Sequence, residues 1–167
     1  YNSIKKPKTK SIGIYGLGTV GLFSLIAAKC LNFKKIFIIK KSKTKKILAK
    51  KMGAIIINHN NPIIDLMKNN QNKLLDYCFE STGNIRTIKI AFDLIHNKGE
   101  CYISSHPSYN KKLKINPHDL IKGKKIFGAW GGYTNPEKHF NIYSKILSKN
   151  KNFLKTFKIK TYKLKQI

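Results

Sequence analysis

The sequence predicts an α/β fold, a doubly wound parallel sheet of six strands with helices on both faces. Three observations predict it. Short apolar runs recur along the chain, each bounded by glycine or polar residues. Stretches with helical spacing of apolar residues alternate with them. The run Ser11 to Tyr15 also passes through Gly16-Leu17-Gly18-Thr19-Val20-Gly21 into an apolar stretch ending near Leu31, where Ser24 is the one polar side chain between Gly21 and Lys29. A strand, a glycine turn and a buried helix, followed by regular alternation, wind a parallel sheet.

The elements follow in order. Tyr1 to Lys10 is a basic lead-in containing Pro7. The first strand covers Ser11 to Tyr15 and the first helix runs to about Leu31. Lys35 to Ile39 is apolar enough for a parallel strand buried on both faces. A helix from about Lys43 places Ile47, Leu48 and Met52 on one face, and Gly53 ends it in a left-handed cap. Ala54 to Ile57 is the third strand, and a helix spans Ile63 to Asn69. Asp76 to Glu80 is the fourth strand, Ser81 to Asn84 a turn, and Ile85 to Leu94 a helix. After a turn at Lys98-Gly99 the fifth strand covers Glu100 to Ser104. A loop containing His106, Pro107 and Pro117 leads to a short helix, Asp119 to Lys122, and to a sixth strand, Lys125 to Ala129. Asn135 to Leu147 is a helix with Tyr143, Ile146 and Leu147 inward. Asn150 to Ile167 breaks the alternation: Phe153, Leu154, Phe157, Ile159, Tyr162 and Leu164 suit an edge strand and the start of a connection elsewhere.

The glycine turn carries chemistry. Gly16 permits the tight turn, Gly18 lets backbone approach a phosphate, and Gly21 lets helix and strand pack closely. The helix start then offers free N–H groups and a partial positive charge to an anion. The spacing predicts a dinucleotide pyrophosphate site; the plain alternative is a structural strand-to-helix turn.

Composition bounds the partners. Hydrophobic residues make up 41% of 167, enough for one domain with a core. No apolar run approaches the ~18–20 residues that span a bilayer, and the lead-in has no apolar signal core. The expectation is a cytoplasmic protein with no membrane partner. Net charge is +27, yet all the cations are Lys except Arg86. Base readers and phosphate clamps favour the planar fork of Arg, and the lysines are spread over the whole chain. Specific nucleic-acid recognition is therefore not expected, whereas non-specific polyanion binding at low salt is. Cys30, Cys78 and Cys101 form no CxxC pair and suggest buried reduced thiols. The five histidines show no metal-ligand spacing.

In open parallel sheets ligands lie beyond the carboxyl ends of the strands, where strand order reverses. After the second strand, an acid would hold both ribose hydroxyls of NAD. Here Lys40-Lys41-Ser42 stands instead, which favours a 2′-phosphate and hence NADP, unless the lysines merely follow the composition. Ser81, Thr82 and Gly83 are small enough for a cofactor to cross the sheet edge. Ser104, Ser105 and His106 lie where a nicotinamide would rest; His106 is a proton-carrier candidate or an ordinary loop residue. Trp130, in Gly128-Ala-Trp-Gly-Gly132, projects toward that pocket or a neighbouring domain, or anchors packing.

The segments SIGIYGLGTVGLFSLIAAKCLNFKKIFII, KTKKILAKKMGAIIIN, DYCFESTGNIRTI, NKGECYISS and LIKGKKIFGAWGG occur in this order over nearly the whole chain. Together they resemble the cofactor domain of the medium-chain, zinc-type alcohol dehydrogenase family. The resemblance implies a Rossmann fold, NAD or NADP as cofactor, and a small alcohol or aldehyde as substrate. It matches Gly16, Gly18, Thr19, Val20 and Gly21 to the pyrophosphate loop and Lys45 to a lysine beside the adenosine. Thr82, Gly83 and Ser104 match residues flanking the cofactor, and Lys40 stands where NAD enzymes of the family carry the ribose-binding acid. The family's catalytic zinc is held in an N-terminal barrel-like domain, and no matching ligand cluster occurs here. The resemblance thus implies a truncated cofactor domain: residues 1–10 a lead-in, 11–149 the dinucleotide-binding domain, and 150–167 the start of a connection to an absent catalytic domain. Such a segment binds a dinucleotide, transfers no hydride by itself, and can belong to a homo-oligomer. Two other classes compete: a non-enzymatic dinucleotide-sensing domain, and, last, a basic nucleic-acid-binding domain. A short-chain dehydrogenase needs a Tyr-x-x-x-Lys pair, and the one such spacing, Tyr1 to Lys5, is misplaced upstream of the glycine loop.

Overall fold

The computed structural model describes residues 10–40, 45–149, 151 and 162–166. Residues up to Tyr133 form one unit and those from Thr134 a second. The first unit is built around β1 (Ser11–Tyr15), a strand of five buried residues. It pairs in parallel with β2 (Lys35–Lys40) on one side and β4 (Leu75–Glu80) on the other. β3 (Ile55–Asn58) flanks β2, while β5 (Ile95–Ile103) and β6 (Lys125–Gly128) extend the sheet beyond β4. The order is β3-β2-β1-β4-β5-β6, all parallel. The chain steps outward from β1 to β3, crosses back, and steps outward again from β4 to β6. Right-handed crossovers then put helices on opposite faces of the two halves. The reversal falls between β1 and β4.

α1 (Thr19–Cys30) follows β1 and buries Leu22, Leu25 and Ile26. α2 (Lys46–Lys51) and α3 (Pro62–Asn69) complete the first half. α4 (Ile85–Asp93) buries Ile88, Ala91 and Phe92, and its start is capped by Asn84, whose Oδ1 accepts the Arg86 N–H at 2.9 Å. α5 (Pro117–Ile121) precedes β6. The sheet interior and the faces laid on it form one core that includes Phe37, Ile39, Leu66, Leu75, Cys78 and Phe92.

At the amino edge of the sheet, Asp76 joins three chain segments. Its Oδ1 accepts from Lys10 Nζ at 2.8 Å and lies 3.3 Å from His96 Nε2, and its Oδ2 accepts from Ser11 N at 2.8 Å and Ser11 Oγ at 2.9 Å. Burial pushes this carboxyl up, but the hydrogen bonds outweigh it and bring its pKa down to about 2.

Several expectations are corrected. Lys45 has φ +67°, so α2 begins at Lys46 and its buried residue is Ala49, whereas Ile47 is 72% exposed. A six-residue helix buries little more than one turn's inner position. The fifth strand begins at Ile95, not Glu100. Leu75 pairs with Ile95 and Tyr77 with Glu100, so residues 96–99 bulge out, with Lys98 at φ +78°. Cys78 and Cys101 are buried register partners on β4 and β5, whereas Cys30 is half-buried. Burial pushes both inner thiols up, Cys101 to about 12.

The second unit carries α6 (Pro136–Lys149). His139, Tyr143, Ile146 and Leu147, at helical spacing, are its half-buried side. Further along, Tyr162 and Leu164 are exposed, with a short 3₁₀ turn at Leu164–Gln166. Phe153, Leu154, Phe157 and Ile159, like residues 1–9, lie outside the described residues.

Candidate functional site

The carboxyl ends of β1 and β4 part at the reversal of strand order, and the glycine turn lies there. Gly16 has φ +97°, and a Cβ on it would sit 2.7 Å from Thr82 Cγ2. A Cβ on Gly21 would sit 2.3 Å from the Gly16 carbonyl oxygen, so α1 turns back onto the loop more closely than any other residue permits. Gly18 differs. A Cβ there would meet nothing within 4 Å, because this glycine faces open space.

That space lies over the start of α1. Gly18 is its N-cap, no side chain caps it, and its first turn holds no acidic residue. The amides of Thr19, Val20 and Gly21 precede the first helical hydrogen bond, which Leu22 N–H makes to Gly18 O at 3.0 Å. Thr19 and Val20 are exposed. An anion over Gly18 would therefore meet free N–H groups and the positive end of the helix dipole.

Two cavities open at this edge. The first, about 710 Å³, is lined by Gly16, Gly18, Ile39, His59, Ser81, Thr82 and Arg86, among others. The second, about 460 Å³, is lined by Ser104, Ser105, His106, Lys111, Ala129 and Trp130, among others. A third cavity, about 570 Å³, lies at the amino edge around the Asp76 clamp and Lys34, Lys35 and Lys73. It is remote from the reversal of strand order.

A buried acid is hydrogen-bonded to residues that line the first two cavities. Glu80, the last residue of β4, is 0% exposed. Its Oε1 accepts from Thr82 N at 2.8 Å and Thr82 Oγ1 at 2.5 Å, with Thr87 Oγ1 at 3.0 Å. Its Oε2 accepts from Ser105 Oγ. The hydroxyls of Ser81 and Ser104 also turn inward, to the carbonyls of Tyr15 and Glu80, each at 3.0 Å. These side chains thus spend their donors on the fold and leave backbone and carbon facing the cavities. Gly83, at φ +74°, brings the two loops together, since a Cβ on it would lie 3.1 Å from the His106 carbonyl oxygen.

Beside the glycine loop, the hydroxyl of buried Tyr15 lies 2.9 Å from His59 Nδ1. Burial foremost, with the neighbouring Cys78 and Glu80 adding to it, pushes this phenol up to about 12. The phenol therefore keeps its proton at neutral pH and stays hydrogen-bonded to the imidazole at Nδ1.

The expected residues separate into three groups. Gly16, Gly18 and Thr82 line one cavity, with Thr19, Val20 and Gly21 continuing the loop into α1; Ser104 lines the other, and Gly83 lies against its loop. Lys45 is exposed and does not line either cavity. Lys40 ends β2 opposite Asn58 of β3, its side chain is not described, and Lys41 and Ser42 lie outside the described residues. Trp130 is 80% exposed and meets His106 edge-on at 5.1 Å, so it is no packing anchor. Sequence reasoning missed Glu80 and the Tyr15–His59 pair. The available signals were an acid closing an apolar strand just before Ser-Thr, and a hydroxyl within an otherwise apolar first strand.

Comparison with known proteins adds a family. A family model described as zinc-binding dehydrogenase matches residues 19–149. Alcohol dehydrogenase 1 of Cenchrus americanus is 27% identical over 140 residues, which are 81% of this chain and 37% of that protein. S-(hydroxymethyl)glutathione dehydrogenase of Synechocystis sp. is 29% identical over 138 residues, 79% of this chain and 37% of that protein. The crystal structure of benzyl alcohol dehydrogenase from Acinetobacter calcoaceticus superposes with a TM-score of 0.79 at 25% identity, covering 89% of this chain and 42% of that one. The chain thus spans about two-fifths of the length of such relatives.

Proposed function

The chain belongs to the zinc-binding dehydrogenase family, and from that membership we infer that it is the NAD(P)-binding part of an alcohol or polyol dehydrogenase. One observation carries the reading: Gly18, over the uncapped start of α1, leaves open the space that any other side chain would enter. In this reading Gly16, Gly18, Thr19, Val20 and Gly21 receive the pyrophosphate, and Thr82, Gly83 and Ser104 flank the crossing at the sheet edge. Lys40 and Lys45 serve the adenosine end. A bound nicotinamide supplies the hydride acceptor or donor. The protein's own residues bind the dinucleotide, orient it across the switch point and exclude water from its buried side.

Among the described residues no group of three or more His, Cys, Asp or Glu side chains could hold a metal. From the family membership and the two-fifths of its relatives' length that the chain spans, we assign zinc ligation and most of the alcohol or aldehyde pocket to a catalytic domain of a longer protein. In that protein residues 11–149 are the cofactor domain and residues 150–167 begin the return to the catalytic part. Free buried thiols at Cys78 and Cys101 support a reducing cytoplasm. No described helix is long and apolar enough to cross a membrane.

Titrating NADH and NADPH against the fluorescence of Trp130, at the mouth of the second cavity, tests the reading. A saturable change with at least one of them is expected, and no response to either would overturn it. Preference for NADPH that disappears in Lys40→Asp would assign the 2′-phosphate to the end of β2; unchanged selectivity would remove Lys40 from that role.

A further inference from the structure

We propose that Glu80 is a positioning residue that holds the two cavities of the carboxyl edge in alignment, so that one ligand can occupy both. The inference rests on the dinucleotide reading above and goes beyond it by assigning a role to a buried group, Glu80, that is 0% exposed.

Glu80 takes opposite partners with its two oxygens. Oε1 binds Thr82 and Thr87, which line the cavity beside the glycine loop, and Oε2 binds Ser105, which lines the cavity beside Trp130. The carboxylate thus links lining residues of both cavities and joins the β4–α4 loop, α4 and the loop after β5. Its donors are hydroxyls and one amide rather than a cation. Thr87 Oγ1 also lies 2.7 Å from the Asn84 carbonyl oxygen, so its proton is shared, whereas a Ser105 hydroxyl that turned away would leave Oε2 without that partner and the buried carboxylate less satisfied. Packing alone would ask for an apolar residue here, as at Cys78 two positions earlier on the same strand. The Gly83–His106 contact brings the loops together, and Glu80 sets their register.

Alignment matters to a ligand that spans both cavities and not to one that fills a single cavity. NADH would reach from the glycine loop to Ser105 and Trp130, whereas ADP would occupy the glycine-loop side alone. Glu80→Gln retains shape and one acceptor but offers an amide N–H where Ser105 donates. Calorimetric titration of the chain with NADH and with ADP therefore separates positioning from simple stability. Glu80→Gln is expected to weaken NADH about tenfold while changing ADP less than about twofold, a selective loss matching one broken buried hydrogen bond. Ser105→Ala, in the half-buried loop after β5, removes the same hydrogen bond from the donor side and is expected to reproduce the same selectivity to a smaller extent, and Glu80→Asp to restore part of it. Equal losses for both ligands, or no loss for either, would overturn the positioning role. If wild type binds neither NADH nor ADP, the dinucleotide reading itself fails and the inference falls with it.

Discussion

At the scale of single residues, two carboxylates of this protein sit where several donors converge. Asp76 and Glu80 lie at opposite ends of β4, and each gathers partners from separate segments. Asp76 makes a testable contribution to stability. Its carboxyl lies at about 2 when folded and near ~3.9 when unfolded. Its stabilisation is thus fully present above the unfolded value and lost as pH falls through the folded one. With Lys10 side chain 41% exposed and Asp76 20% exposed, solvent screens part of the effect. We expect Asp76→Asn to cost about 1–2 kcal/mol at neutral pH. Chemical denaturation across pH should show that difference shrinking between about pH 4 and about pH 2; a constant difference would remove Asp76 as its source.

At the scale of elements, the strand–turn–helix unit from Ser11 to Cys30 contains two glycines with opposite constraints. A Cβ on Gly21 meets the Gly16 carbonyl at 2.3 Å, whereas one on Gly18 meets nothing within 4 Å. Gly21→Ala should therefore destabilise the fold by about 1–3 kcal/mol, the usual cost of overpacking, and lower the melting temperature. Gly18→Ala should leave the melting temperature unchanged and still weaken dinucleotide binding, because its methyl group enters the space above α1. Thermal melts alongside NADH titration distinguish the two glycines. If Gly18→Ala binds as wild type does, the pyrophosphate is not held over that residue.

At the scale of the whole molecule, a net charge of +27 on 167 residues sets up strong self-repulsion. Raising salt from about 10 mM to about 150 mM shortens the screening length to ~8 Å and should raise the melting temperature. A fall would mean that attractive pairs outweigh the repulsion. The same salt series should release a homopolymeric RNA, since contacts of dispersed lysines with phosphate weaken steeply with salt.

Much of the chain's organisation is legible without coordinates. Strands such as Ser11 to Tyr15 and Lys35 to Ile39 are visible because burial on both faces demands unbroken apolar runs. The left-handed positions of Gly16 and Gly53 follow from local backbone geometry that favours glycine. The glycine loop's place before a buried helix is likewise a neighbour-to-neighbour property. Tertiary structure decided what distant residues become to one another. Lys10 and Asp76 are 66 residues apart, Tyr15 and His59 44, and Glu80 and Ser105 25. No local pattern selects such partners, because strand order β3-β2-β1-β4-β5-β6 must first bring their segments side by side. The bulge before Glu100 and the exposure of Ile47 belong to the same class, being set by what lies across the sheet rather than along the chain. Sequence by itself thus determined the elements and the glycine loop, through short-range backbone preference and apolar periodicity. Only the packed sheet decided that one buried carboxylate links lining residues of both halves of the candidate site, because hydrogen-bond partners are chosen by distance in space.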